Sequence, residues 1–276
     1  MKHVALLSVF VCAIAVCAQA EYLTPPPWEG EPGAETFQSW EFPLILAGMP
    51  VDRLVPWPMP PFASAYPNGE GFIEWPEGWM DVPIEPYEPG DFVTVNVETT
   101  VQYVDDYVTP DGNPVGPGTP TVHIGVTNQD GSENNQALVP VHIWIPNNPD
   151  PNEVKKVWWQ MTADKSATPQ GDPPQVTPTG ADPSTAVPPA HPTQAGGDNS
   201  VPGAAGSLKH GNSNWYTYSG LNEVGPNPEG EWLTFWLVNS TNIEEINIDT
   251  ICTPEPGSMV LLAMGGLALL RRRRTV

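Results

Sequence analysis

Basic side chains are scarce in this chain. Ten Lys and Arg face 32 Asp and Glu, which leaves a formal charge of −22 at pH 7. Lys2, Arg271, Arg272, Arg273 and Arg274 lie at the ends, so Arg53, Lys155, Lys156, Lys165 and Lys209 alone serve everything between Glu21 and Thr253. Phosphate recognition needs clustered Lys and Arg, so nucleic acid and anionic lipid are excluded as partners of this central part. A self-repelling, soluble surface is implied instead, open to calcium or to neutral and basic polymers. Cysteine is equally sparse: Cys12, Cys17 and Cys252 are the three. Two of them fall in the first 17 residues, within a segment expected to be removed, which excludes a disulfide scaffold and a Cys-based metal site in the mature chain.

Recognisable catalytic patterns are missing as well. The chain has no G-x-S-x-G, no H-E-x-x-H and no Gly-rich phosphate loop beside a helix. Of five histidines, His3 belongs to the leader and His191 and His210 to a low-complexity stretch. His123 and His142 lie on the outward faces of strands expected to be neighbours, where they could approach each other, but two imidazoles alone do not complete a metal site. Carboxylates are too common for one glycosidase-like pair to stand out. No residue is assigned a catalytic role, and the chain is read as a non-enzyme.

What is abundant is proline, with 36 residues, and glycine, with 25. Proline inside a helix costs roughly 3 kcal/mol, so short strands joined by turns suit this composition better. The clearest period-two pattern is DFVTVNVETTVQYVDDY, with Val93, Val95, Val97, Thr99, Val101 and Tyr103 on one face. TVHIGVT, ALVPVHIWI, EVKKVWWQMT, EWLTFWLV and NIEEINIDTIC add further alternating runs, and TFQSWEF an opening one. Asp111-Gly112 and the NQDGSENN stretch mark turns between them. Residues 164–212 are Pro, Gly, Ala, Ser, Thr and Asp with few large apolar side chains, a composition that cannot offset an ordering entropy of roughly 1–2 kcal/mol per residue.

The expected fold is all-β: an antiparallel, jelly-roll-like β-sandwich interrupted by a disordered insert. Residues 91–163 form its first part and 213–252 its second, the latter too short for a core of its own. The Pro- and Trp-rich segment 21–90 is expected to pack on the sandwich as extended loop.

Both ends are lipophilic. MKHVALLSVFVCAIAVCAQA has a basic start, an apolar run and Ala18-Gln19-Ala20, the small-x-small pattern of a signal peptide (residues 1–20) cleaved by signal peptidase. Residues 253–276 read TPEPGSMVLLAMGGLALLRRRRTV. Gly257 to Leu270 would span about 21 Å as a helix, short of the roughly 30 Å of a bilayer core. The four arginines that follow can snorkel to headgroups and place the C-terminus in the cytoplasm, so a short membrane helix is expected.

Pro254, Glu255 and Pro256, the short apolar run and Arg271 to Arg274 together resemble the PEP-CTERM sorting signal of Gram-negative bacteria. The resemblance implies recognition by exosortase, transient anchoring in the inner membrane, and delivery to the cell envelope, cell surface or extracellular matrix. TFQSWEF, PNNPDPNEVKKVWWQMT and NIDTIC resemble, more loosely, exported proteins of planctomycete-type bacteria that share this signal. That looser resemblance implies no activity; the function expected is structural or adhesive, with extracellular polysaccharide a candidate partner. The alternative is a carbohydrate-binding module in which outward Trp158, Trp232 and Trp236 stack on sugar rings, unless covering loops bury them. Calcium is the one cofactor with candidate ligands, at Asp105, Asp106 and Asp111 and again at Asp130, Glu133 and Asn134.

Overall fold

Alternating Val, Ile and Thr favour extended backbone, because branched side chains pack well on a pleated surface, and most of the described residues follow that preference. The computed structural model describes residues 26–28, 34–51, 58–65, 69–85, 88–147, 153–164, 174–179, 183–185, 206–224, 230–238 and 240–254. The leader with Ala18 and Ala20 lies outside them, as does the tail from Glu255, including Pro256 and Arg271 to Arg274.

Thirteen strands are present among the described residues: β1 (Ala34–Glu41), β2 (Ala63–Ser64), β3 (Phe72–Glu74), β4 (Gly78–Pro83), β5 (Phe92–Val104), β6 (Thr119–Thr127), β7 (Leu138–Pro146), β8 (Glu153–Asp164), β9 (Gln175–Thr179), β10 (Gly206–Lys209), β11 (Trp215–Val224), β12 (Gly230–Val238) and β13 (Thr241–Pro254). One helical turn, α1 (Phe42–Ile45), follows β1. The pairings are antiparallel and make two sheets. The larger runs β10-β11-β8-β13-β6-β5-β4, with β1 and β2 branching from β13, and the smaller runs β3-β7-β12-β9.

The sheets face each other across one apolar core. Val95, Val97, Val122, Ile124, Val126, Trp159, Ile246 and Ile248 of the large sheet meet Val139, Val141, Ile143, Ile145, Leu233, Phe235 and Leu237 of the small one. Trp159 and Phe235 join the layers edge to face, with centroids 5.2 Å apart. These are the positions that period-two spacing turns inward. Gly220 sits opposite Trp159 across the β8–β11 ladder, and a Cβ there would lie 2.4 Å from the indole ring, so the large side chain requires the small one. Gly112 (φ 82°) and Gly131 (φ 81°) occupy the two turns marked in the sequence, where a left-handed backbone favours glycine.

Two expectations are corrected. In segment 21–90 the expected opening strand is present as β1, paired with β13 over Ala34–Glu41, but the described residues after it are not only extended loop: β3 pairs with β7 and β4 with β5. Its short strands are separated by prolines, which obscures their alternation. The insert is not without structure either. Val176 and Thr177 of β9 are buried, and the strand completes the small sheet against β12. Five residues suffice there because the large side chains they cover, Phe235 and Trp236, come from the neighbouring strand.

Candidate functional site

The feature with the clearest functional meaning is the place where the body meets its tail. β13 runs through the large sheet, paired with β8 along one flank from Ile243 to Pro254. Its other flank pairs first with β6, through Thr241–Ile243, and then with β1, through Glu245–Cys252. Ile246 and Ile248 point into the core. The last rungs are Thr253 opposite Val154 and Pro254 opposite Glu153. The Pro-Glu-Pro tripeptide therefore starts on the sheet itself, with Pro254 on its final rung. Cys252, two residues earlier, is half-buried opposite Ala34 and Lys155.

β13 also carries a fork. Between Ile243 and Glu245 the register shifts, leaving Glu244 as the extra residue of a bulge, at the point where the partner strand changes from β6 to β1. A bulge re-aims side chains. Here it gathers Glu244 with Glu245 and Glu41 and brings Tyr107 from the loop after β5. Burial, reinforced by the Glu245 and Glu41 charges, pushes the Glu244 carboxyl up to about 8, while its hydrogen bond with Tyr107 works in the opposite direction. Tyr107 is likewise raised, first by burial and then by Glu244. Sequence reading missed this cluster, although Ile243-Glu244-Glu245-Ile246 contains the signal: the inward apolar residues slip from a spacing of two to three.

The tryptophans proposed as a sugar platform are covered. Trp158, Trp232 and Trp236 are 4%, 8% and 5% exposed. Trp28 and Ile251 cover Trp158. Trp232 packs between Phe72 and Trp144, each with ring centroids 5.4 Å away. Trp236 clusters with Leu138 and Val238 and donates its indole N–H to Thr177 of β9 at 3.1 Å. They point away from the central core as their parity requires, yet neighbouring strands and segments bury them, so of the two readings, open stacking and covered packing, burial favours packing.

His123 and His142 do not approach. β6 belongs to the large sheet and β7 to the small one, so their outward histidines lie on opposite faces of the sandwich. His123 Nδ1 contacts Asn242 at 3.1 Å, and His142 Nδ1 contacts Thr234 at 2.9 Å. Burial lowers the His142 pKa to about 4. The third described imidazole, His210, is buried and bridges the Val108 carbonyl and Thr217.

Four of the calcium candidates, Asp105, Asp106, Asp130 and Asn134, accept hydrogen bonds from within the chain. Asp105 accepts the Gly118 backbone N–H at 2.8 Å. Asp106 accepts the Trp215 indole N–H at 3.5 Å, and Asp111 is exposed. Asp130 holds Ser132, and Asn134 accepts the backbone N–H groups of Gln136 and Ala137. Among the described residues no three His, Cys, Asp or Glu side chains converge as a metal site.

Comparison with known proteins speaks to the tail and leaves the body almost silent. No curated protein matches the chain. Among solved structures, the K1 cleaved adhesin domain of Lys-gingipain from Porphyromonas gingivalis W83 is a distant likeness. It is 14% identical, with a TM-score of 0.24 and coverage of 68% of this chain and 99% of that one. No helix among the described residues is long and apolar enough to cross a membrane. Residues 253–274, which begin on the last rungs of β13, match the PEP-CTERM protein-sorting motif. The chain therefore carries a PEP-CTERM protein-sorting motif, which implies export, sorting through that segment and processing by exosortase.

Proposed function

We propose that the protein is a non-enzymatic, structural or adhesive component of the cell envelope or extracellular matrix, held briefly at the inner membrane by its tail and released there by exosortase. The observation that supports this reading is the direct join between the sorting motif and the sheet, since Thr253 and Pro254 are both strand residues and motif residues. With so little chain between them, the folded body would stand close to the bilayer while the tail is anchored and would leave as one unit when the tail is cut. The acidic surface keeps the released body soluble and away from anionic headgroups. A sugar platform made of Trp158, Trp232 and Trp236 is not part of the reading, because those rings are buried.

The test is intact-mass measurement of native protein from cells with and without exosortase, alongside a variant in which Pro254, Glu255 and Pro256 are all alanine. With exosortase, the expected species begins near Glu21, lacks the arginine cluster and leaves the inner-membrane fraction. Without the enzyme, or with the alanine variant, the tail stays attached and the protein stays in that membrane. Mature material that retains both Met1 and Val276 and fractionates with the cytosol would overturn the proposal.

A further inference from the structure

Trp79 is 59% exposed, whereas the tryptophans of the core clusters are buried. It lies on β4, the terminal strand of the large sheet in its path order, facing outward. Directly across the ladder from it is Asn96. One outward pair further along, Asp81 faces Thr94, whose hydroxyl donates to the Asp81 carboxylate at 2.6 Å. Beyond that pair comes Phe92, 54% exposed and opposite Pro83. On the other side of Asn96, outward Glu98 is exposed. The strip thus alternates ring, polar pair, ring along one face of the β4–β5 ladder. The rings on its two strands are separated along the strand direction by about 13 Å, at roughly 3.3 Å per residue.

We infer that this strip is a binding site for a neutral polysaccharide, with Trp79 and Phe92 stacking on sugar faces and Asn96, Thr94 and Asp81 bonding hydroxyls between them. Three features select that ligand. β4 and β5 contain no Lys or Arg, and Asp81 and Glu98 give the strip negative charge, which opposes phosphate, sulfate and uronate groups. Exposed rings beside planar polar side chains match a surface that is apolar on its C–H faces and hydroxylated on its rim. The β4–β5 ladder fixes the register of the two rings, and each has only two side-chain torsions to order on binding. The site gives the adhesive reading its ligand and relies on that reading only for where the polymer would be met. Binding is measured on isolated protein and sorting in cells, so either result can fail while the other stands.

The experiment uses the full chain, purified in mild detergent, as wild type, Trp79→Ala and Trp79→Ala/Phe92→Ala. Near-ultraviolet circular dichroism and thermal melting establish that each variant is folded, as expected for exposed positions. Each is titrated with soluble galactomannan, amylose and a cello-oligosaccharide, and with polygalacturonate as the anionic counterpart. Binding to at least one neutral glycan is expected, with quenching of indole fluorescence. Affinity should fall about tenfold or more for Trp79→Ala and further for the double variant, and polygalacturonate should bind more weakly than the best neutral glycan. Absence of binding to every neutral glycan would overturn the inference, as would binding that folded Trp79→Ala retains in full or a preference for polygalacturonate. Sedimentation that shows self-association lost in Trp79→Ala, with no glycan binding, would reassign the strip to contact between copies of the chain.

Discussion

At the scale of single residues, the most consequential pair is Lys155 and Glu231. Lys155 Nζ and Glu231 Oε1 stand 2.7 Å apart with both side chains fully buried, one from β8 and the other from β12, so the contact ties the two sheets together inside the core. Removing both ions from water is costly, and their attraction offsets that cost only while both are present. Replacing one partner should therefore do more damage than replacing both. Lys155→Met or Glu231→Leu alone is expected to lower stability by about 3–5 kcal/mol, and the double replacement to recover much of the loss. Urea unfolding midpoints of the three variants at pH 7 check this. Sequence patterning hints at the arrangement only in retrospect, because Lys155 shares parity with Val157 and Trp159, and Glu231 with Leu233 and Phe235. A charge at an inward position was legible, but its partner in the opposite sheet was not.

At the scale of elements, β13 decides the architecture. It is the last described strand in the chain, yet it lies inside the large sheet, between β8 and the paired flank shared by β6 and β1. The native sheet is incomplete without this strand, which carries the first two residues of the sorting motif, Thr253 and Pro254. Strands closed on both flanks open only with the whole sheet. Amides of Ile246 to Ile251 are therefore expected to exchange with solvent at rates set by global unfolding, whereas those of β2 and β10, short strands at or near the sheet's limits, exchange much faster. Hydrogen-exchange mass spectrometry at neutral pH measures the difference, and comparable rates in β13 and β10 would contradict this ranking. The alternation of β5, β6, β7, β8, β12 and β13 could be read from sequence because each strand hides one face. β9 and β10 could not, since neither has an apolar face long enough to register, and each forms because a longer neighbour supplies the pairing edge.

At the scale of the whole molecule, acidity and burial set how stability should respond to pH. Glu244 is raised in the folded state by burial and by Glu245 and Glu41, to about 8. A raised carboxyl binds its proton more tightly folded than unfolded, so its contribution is fully present at low pH and is lost as pH climbs from the ordinary carboxylate range towards 8. His142, lowered by burial to about 4, has the opposite effect: its contribution grows as pH rises from about 4 towards the ordinary imidazole value. The two oppose each other in mildly acidic solution and leave a decline between about pH 6.5 and 8. Glu244→Gln should flatten that decline, whereas Glu98→Gln, an exposed control, should leave it unchanged. Melting temperatures at half-unit pH steps distinguish them, and an unaltered slope in Glu244→Gln would refute the assignment.

Several properties needed only the order of residues. The acidic, cysteine-poor composition, the two lipophilic ends and the Pro-Glu-Pro tail all depend on local chemistry, and period-two spacing identified the inward faces because parity is a property of the strand alone. Tertiary structure decided which side chains remain in water. Trp158, Trp232 and Trp236 have the parity of surface residues but are covered by other parts of the chain, while Trp79, one tryptophan among five in a proline-rich stretch, stays open at the end of a sheet. Pairing partners, the Glu244 fork and the Lys155–Glu231 contact likewise join residues far apart in sequence. Such contacts follow from how strands stack and cross between sheets, which alternation within any one strand does not encode.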